Sequence, residues 1–266
     1  MQIDISDTGT GPALLFLPGS YSTKDAWKGV QAALQGTYRL ISISLPGYGT
    51  TPEVRPETVS NMHLMQEFVA DVIGQIGVPV HLLGHSFGGL TTLASTLSKS
   101  VSPLSIITFE GNPIYSKPIH GRFAWKDQML EVGQLFEEAY ARGDENAAAL
   151  IIDYWGGQGF FNSMPDAVRS FCRSTTYTNI LDWRAAAGFT PSVAEFASVT
   201  VQASLVRGEL ANDAIIEITG LLSQMMPNST PLVVDGAGHF LISTHPKQCA
   251  RIIDDHMATY NSGKEH

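Results

Sequence analysis

Val80-His-Leu-Leu83 is an apolar run that breaks into Gly84-His85-Ser86-Phe87-Gly88 and continues as the helix-like Gly89-Leu-Thr-Thr-Leu-Ala94. A strand that ends in G-x-S-x-G and opens at once into a helix has to turn sharply. The serine takes a strained backbone conformation, and the flanking glycines let strand and helix approach each other. Ser86 is therefore expected at the carboxyl edge of a sheet with its hydroxyl projecting, as a nucleophile. A plain serine in a Gly-rich turn is the bland alternative, and it makes no use of the strand before and the helix after.

Short apolar runs bounded by Gly and Pro recur on both sides: Leu14–Leu17, Leu40–Leu45, Leu104–Phe109, Ala203–Val206 and Leu232–Asp235. Several are almost continuously apolar, which suits strands covered on both faces of a parallel sheet. Helix-like stretches lie between them, at Lys24–Leu34, Val59–Ile76, Gly88–Ser98, Ala214–Met226 and Pro246–Tyr260. In the second, Leu64, Phe68, Val72 and Ile76 repeat at helical spacing and predict one buried stripe. The alternation predicts an α/β fold: a mostly parallel central sheet flanked by helices, with its site at the carboxyl ends of the strands.

The alternation stops between Gly111 and Ser198. That stretch carries helical candidates at Lys126–Arg142 and Glu145–Trp155 and many bulky groups, among them Phe123, Trp125, Phe136, Trp155, Phe171 and Trp183. It is expected to be a helical cap inserted between two parts of one core, residues 1–110 and 199–266, and to roof a mainly apolar pocket.

With 266 residues, 44% of them hydrophobic, the chain can bury one sizeable core. Sixteen basic residues against 25 acidic ones give a formal charge of −9 with no Lys/Arg cluster, which argues against nucleic acid and anionic lipid as partners. No segment approaches the roughly 18 apolar residues of a membrane span. The first residues, Met1-Gln-Ile-Asp-Ile5, lack the basic start and long apolar stretch of a secretory signal, so the cytoplasm is the expected compartment. Cys172 and Cys249 sit in no metal-ligand spacing and are expected to be buried free thiols. No metal or organic cofactor motif is present, and the expected partner is a small-molecule substrate, bound by a monomer or a homodimer.

A serine hydroxyl needs a base. Of the eight histidines, His239 follows the last strand in Gly236-Ala-Gly-His239, a loop at the same edge as Ser86. His85 is beside the nucleophile but points elsewhere on the turn, and His245, His256 and His266 lie in or beyond the terminal helix. The turn Leu17-Pro-Gly-Ser20 ends the first run and can aim main-chain N–H groups at an oxyanion, Ser20 supplying one donor and Phe87 the other.

Together these segments resemble the α/β-hydrolase fold superfamily over the whole chain. Leu17-Pro-Gly-Ser20 resembles its oxyanion turn, Leu45-Pro-Gly-Tyr-Gly49 its D-x-P-G-x-G segment, Gly84–Gly88 its nucleophile elbow and Gly236–His239 its histidine loop. Pro18 stands where a His is more usual and Ser44 where an Asp is. The resemblance implies a triad acid after one of two strands. Glu110, ending Ile106-Ile-Thr-Phe109, and Asp213, after Leu205–Asn212, are both candidates. Glu110 is preferred, because a carboxylate capping so apolar a strand needs a partner, whereas helix N-capping explains Asp213; Glu209 arrives too early. The implied reaction is hydrolysis of a carboxylic ester or lactone of a small, fairly hydrophobic substrate through an acyl-enzyme. Carbon–carbon bond hydrolysis, cofactor-free lyase or oxygenase chemistry, or a ligand-binding protein with little turnover are the alternatives. A serine at the elbow disfavours the halide or epoxide chemistry that the family performs with aspartate.

Overall fold

The computed structural model describes residues 2–56, 61–98, 100–111, 113–115 and 124–263. Seven strands form one sheet: β1 (Ile5–Gly9), β2 (Ala13–Leu17), β3 (Arg39–Ile43), β4 (Val80–His85), β5 (Ser105–Phe109), β6 (Gln202–Gly208) and β7 (Ser229–Val234). Their spatial order is β1-β3-β2-β4-β5-β6-β7. Only β1 runs antiparallel, against β3; every other pairing is parallel. Strand β1 is absent from the sequence reading. It is exposed along its whole length and so lacks the apolar run that marks the inner strands.

Around the sheet lie α1 (Lys28–Ala33), α2 (Met62–Ile76), α3 (Phe87–Leu97), α10 (Asp213–Met225), α11 (Leu241–Thr244) and α12 (Pro246–Ser262). Between β5 and β6 the described elements are all helices: α4 (Ala124–Ala141), α5 (Ala148–Gly156), α6 (Phe160–Ser163), α7 (Asp166–Ser174), α8 (Thr176–Ala187) and α9 (Val193–Ala197). The helix expected over Lys24–Leu34 is a 3-10 turn, Lys24–Trp27, followed by α1. Asn61 caps α2 and Gly77 in the left-handed region ends it. Its buried side chains are Met62, Met65, Phe68, Val69 and Val72, so the stripe is centred on Phe68 and Val72, while Leu64 and Ile76 lie at its edge. Val59, Phe123 and His266 fall outside the described residues.

Strands β2, β4 and β5 are buried at every position because helices cover both faces. Leu15, Leu17, Ile41, Leu82 and Ile106 pack with α2 and α3 on one side; Leu14, Phe16, Leu83 and Ile107 pack with Trp27, Val30 and Ile253 on the other. Phe136, Ile151 and Ile180 form a separate core within the helical insert, while Trp125 and Met129 join the sheet core. Both cysteines are buried free thiols. No helix among the described residues is long and apolar enough to cross a membrane.

The lower part of the sheet holds a buried polar chain. The Ser204 hydroxyl bonds His256 Nδ1 at 2.8 Å, and the Ser105 hydroxyl lies 2.7 Å from both His256 Nε2 and His81 Nδ1. Burial pushes His256 down to about 4, and burial with the neighbouring His239 pushes His85 down to about 4. The unfolded chain takes up these protons below about pH 6.5, whereas the fold refuses them until about pH 4. Their contribution is thus complete above about 6.5 and is lost as the pH falls towards 4, by up to roughly 3 kcal/mol for each histidine. Urea midpoints should drop steadily from pH 7.5 to 5, and less steeply in His256→Gln; an unchanged slope in that variant would remove His256 from the account.

Candidate active site

The chain runs outward from β2 to β3 and then crosses back to β4, so the order reverses between β2 and β4, where ligands bind in open α/β sheets. Register aligns Leu17 with Gly84 and His85 with Phe109, which sets the ends of β2, β4 and β5 side by side. Ser86 follows at φ 52°, ψ −119°, and its N–H donates to the Phe109 carbonyl at 2.9 Å. Only tiny neighbours permit this elbow. A Cβ on Gly84 would lie 2.2 Å from the Gly88 carbonyl oxygen, and one on Gly88 would lie 2.3 Å from that of Pro18.

Ser86 Oγ is 3.0 Å from His239 Nε2, and His239 Nδ1 is 2.6 Å from Glu110 Oε2. The second Glu110 oxygen accepts the Gly208 N–H at 2.8 Å. Glu110 is 1% exposed and holds φ 53°, a left-handed conformation at the end of β5 that turns its side chain to the rim. Burial pushes its carboxyl up, but the His239 hydrogen bond and charge together with the Gly208 N–H outweigh that, and it lies below its ordinary value. A carboxylate on Nδ1 fixes the tautomer with the proton there, leaving Nε2 free to accept from Ser86.

Asp213 does not join this group. It is exposed in the first turn of α10, and even the cap there belongs to Asn212, whose side chain accepts the Ile215 N–H. His85 Nε2 donates to the His239 carbonyl at 2.8 Å, bracing the histidine loop from beneath. Trp155 from α5 stacks on the His239 ring at 4.9 Å between centroids, and Phe240 meets it edge-on. Neither aromatic contact carries a signal in the sequence beyond the richness of that region in bulky groups.

The Ser20 turn abuts the elbow: a Cβ on Gly19 would lie 3.1 Å from both His85 Nδ1 and Ser86 Cβ. Neither the Ser20 nor the Phe87 N–H bonds another main-chain group among the described residues outside regular helix or strand pairing. For Phe87, first in α3, that is the ordinary state of a helix N-terminus. The turn carrying Ser20 and the start of α3 at Phe87 thus lie on either side of the elbow.

A family model described as the alpha/beta hydrolase family matches residues 14–252. The chain belongs to this family. Among relatives of this alpha/beta hydrolase, a pimeloyl-[acyl-carrier protein] methyl ester esterase of Aeromonas hydrophila is 25% identical over 260 residues, covering 96% of this chain and 98% of that one. A fluoroacetate dehalogenase of a Burkholderia species is 22% identical over 282 residues, covering 96% and 90%. Among solved structures, a thermophilic esterase from Thermogutta terrifontis superposes with a TM-score of 0.76 at 18% identity over 97% of this chain and 93% of that one.

Beside Ser86 and His239 the hydrolase has a cavity of about 230 Å³, walled by apolar groups such as Phe87, Ile152, Trp155, Trp183 and Ile242. Its polar members besides Ser86 and His239 include Ser20, Asn179 and Asp182. The Asn179 side-chain oxygen is buried with no hydrogen-bond partner among the described residues. Asp182 accepts from Ser20 Oγ, Tyr48 OH and Arg55 Nη1. Asn179 and Asp182 escape the sequence reading, although two polar residues three apart among Ile180, Leu181 and Ala185 of one helix are the trace they leave. Among the described residues no three His, Cys, Asp or Glu side chains gather as a metal-ligand set.

Proposed function

We propose that this alpha/beta hydrolase cleaves a carboxylic ester or lactone of a small, uncharged and fairly hydrophobic substrate, with residues 111–198 serving as a cap over the cavity. The continuous Ser86–His239–Glu110 hydrogen-bond chain carries the reading. Ser86 Oγ attacks the ester carbonyl carbon while His239 Nε2 takes its proton; Glu110 stabilises the resulting imidazolium, and the Ser20 and Phe87 N–H groups receive the oxyanion. Collapse expels the alcohol, which leaves with the proton from His239. Water then attacks the acyl-enzyme, its proton passing to His239 and on to Ser86, and the free acid departs.

The ester-hydrolysing names of full-length relatives support this chemistry, and a serine in place of an aspartate nucleophile turns it away from dehalogenation. The cavity of about 230 Å³ beside Ser86 suits an acyl group of short to medium length, and a second cavity of about 380 Å³ is also lined by His239, Trp155 and Phe240. On p-nitrophenyl esters of graded acyl length, beside lactones, kcat/KM is expected to peak among the shorter chains and fall at palmitoyl. A fluorophosphonate should label wild-type protein and leave Ser86→Ala unlabelled. An unreactive Ser86 would overturn the hydrolase reading in favour of lyase, oxygenase or binding roles.

A further inference from the structure

We infer that Asp182, delivered by α8 of the helical insert, is a positioning residue for the oxyanion turn, so that docking of the insert completes the catalytic edge of the sheet. The inference rests on the hydrolase reading above. Asp182 is 2% exposed, and its two oxygens divide their work. Oδ1 accepts from Arg55 Nη1 at 2.5 Å, whereas Oδ2 accepts from Ser20 Oγ at 2.5 Å and Tyr48 OH at 2.6 Å. Arg55 has no exposed side-chain surface and is held in turn by Glu53, with Nε on Oε1 and Nη2 on Oε2, both at 2.8 Å. A buried carboxylate needs a paired cation and satisfied lone pairs to persist. Arg55 meets the first need, and the lone pairs could have been satisfied by groups far from the chemistry. One of them instead takes Ser20, the residue whose main-chain N–H is the proposed oxyanion donor.

The backbone around that donor has to be held. Tyr21, the next residue, sits at φ 56°, a left-handed conformation that a bulky side chain adopts only where its surroundings impose it. Gly19 presses against the elbow on one side, the Ser22 hydroxyl ties back to the Gly19 carbonyl at 2.7 Å, and Asp182 grips Ser20 from the insert. A donor acts only when it is aimed at where the oxyanion forms, so loosening this grip costs rate and leaves ground-state binding nearly unchanged.

The test is a double-mutant cycle of Ser20→Ala and Asp182→Asn with two controls, Ser20→Thr and Tyr48→Phe. Rates of Ser86 phosphonylation by a fluorophosphonate, kcat and KM on a p-nitrophenyl ester, and Tm are measured for each. Losing an oxyanion donor outright costs about 10²–10³ in kcat, so a misaimed one should cost about 10- to 100-fold in each single variant, with KM changed less than about threefold. Because both act through one bond, the double variant should fall within about threefold of Asp182→Asn, and Ser20→Thr should regain most of the rate. Tyr48→Phe removes the other bond to the same oxygen and should lower Tm while leaving kcat within about threefold. Multiplicative effects, a Ser20→Ala enzyme at the wild-type rate, or a Tyr48→Phe enzyme as slow as Ser20→Ala would each overturn the proposal. If Asp182→Asn does not fold, the Ser20→Ala and Tyr48→Phe comparison decides alone. Absence of labelling in the wild type would sink the hydrolase reading itself, whereas equal labelling of wild type and Ser20→Ala sinks only the role of Asp182.

Discussion

Ser86→Ala is expected to lower kcat for ester hydrolysis by about 10⁴–10⁶-fold while the protein stays folded, because loss of the nucleophile in a triad removes nearly all of the covalent route. The fold should survive. Ser86 contributes its main-chain N–H to Phe109 and its carbonyl to Leu90, and both bonds are kept by alanine. The hydroxyl itself bonds only to His239 among the described side chains. Substrate binding should persist, since the apolar wall of the cavity is untouched. Single-turnover kinetics with an activated ester and far-ultraviolet circular dichroism check the two halves of this expectation. An alanine enzyme retaining more than about 1% of wild-type turnover would show that Ser86 is not acylated, given the size of the loss that a true nucleophile entails.

Glu110→Gln should come next, lowering kcat by about 10²–10⁴-fold, with Asp213→Asn within about twofold of wild type. The glutamine can still accept the Gly208 N–H through its carbonyl oxygen, so the bend after β5 is preserved. Its amide nitrogen then faces His239 Nδ1, and two donors cannot share that 2.6 Å contact. The imidazole relieves the conflict by carrying its proton on Nε2, where it can no longer accept from Ser86, and no buried anion remains to stabilise the imidazolium. Asp213 has nothing comparable to lose: it is exposed, and Asn212 provides the cap of α10. Steady-state kinetics on the two variants, with thermal melts alongside, rank them. The opposite ranking would move the acid to Asp213 and require the histidine loop to reorganise.

The elbow was legible because its requirements are local. Gly84 and Gly88 are demanded by atoms within a few residues or on the adjoining strand end, and the β-to-helix transition is written in the change from a continuous apolar run to a Gly-rich helix start. The same holds for the inner strands, whose burial on both faces leaves unbroken apolar runs, and for His239 in its Gly-rich loop. Strand β1 fell on the other side of that divide, since an exposed edge strand is selected by backbone pairing with β3 and needs no apolar side chains.

Along the chain the preference for Glu110 over Asp213 rests only on the apolar run that Glu110 ends and on the capping role open to Asp213. Each follows an inner strand, and either would serve if only strand ends mattered. Sheet order brings Glu110, and not Asp213, to His239. Strand β5 lies directly beside β4, the left-handed turn at Glu110 directs its carboxylate inward, and the Gly208 N–H on β6 holds the far oxygen. The cluster of Ser20, Tyr48, Arg55 and Asp182 lies further still from sequence, as Arg55 and Asp182 are 127 positions apart and meet only because the insert docks on the core. Sequence alone marked the features imposed by neighbouring atoms and by burial period: the elbow, the inner strands, and Ser86 and His239 as the candidate nucleophile and base. Tertiary structure settled the partners of buried charges, because a carboxylate out of water is stabilised by whichever cation or N–H the fold brings to it, and no spacing along the chain encodes that meeting.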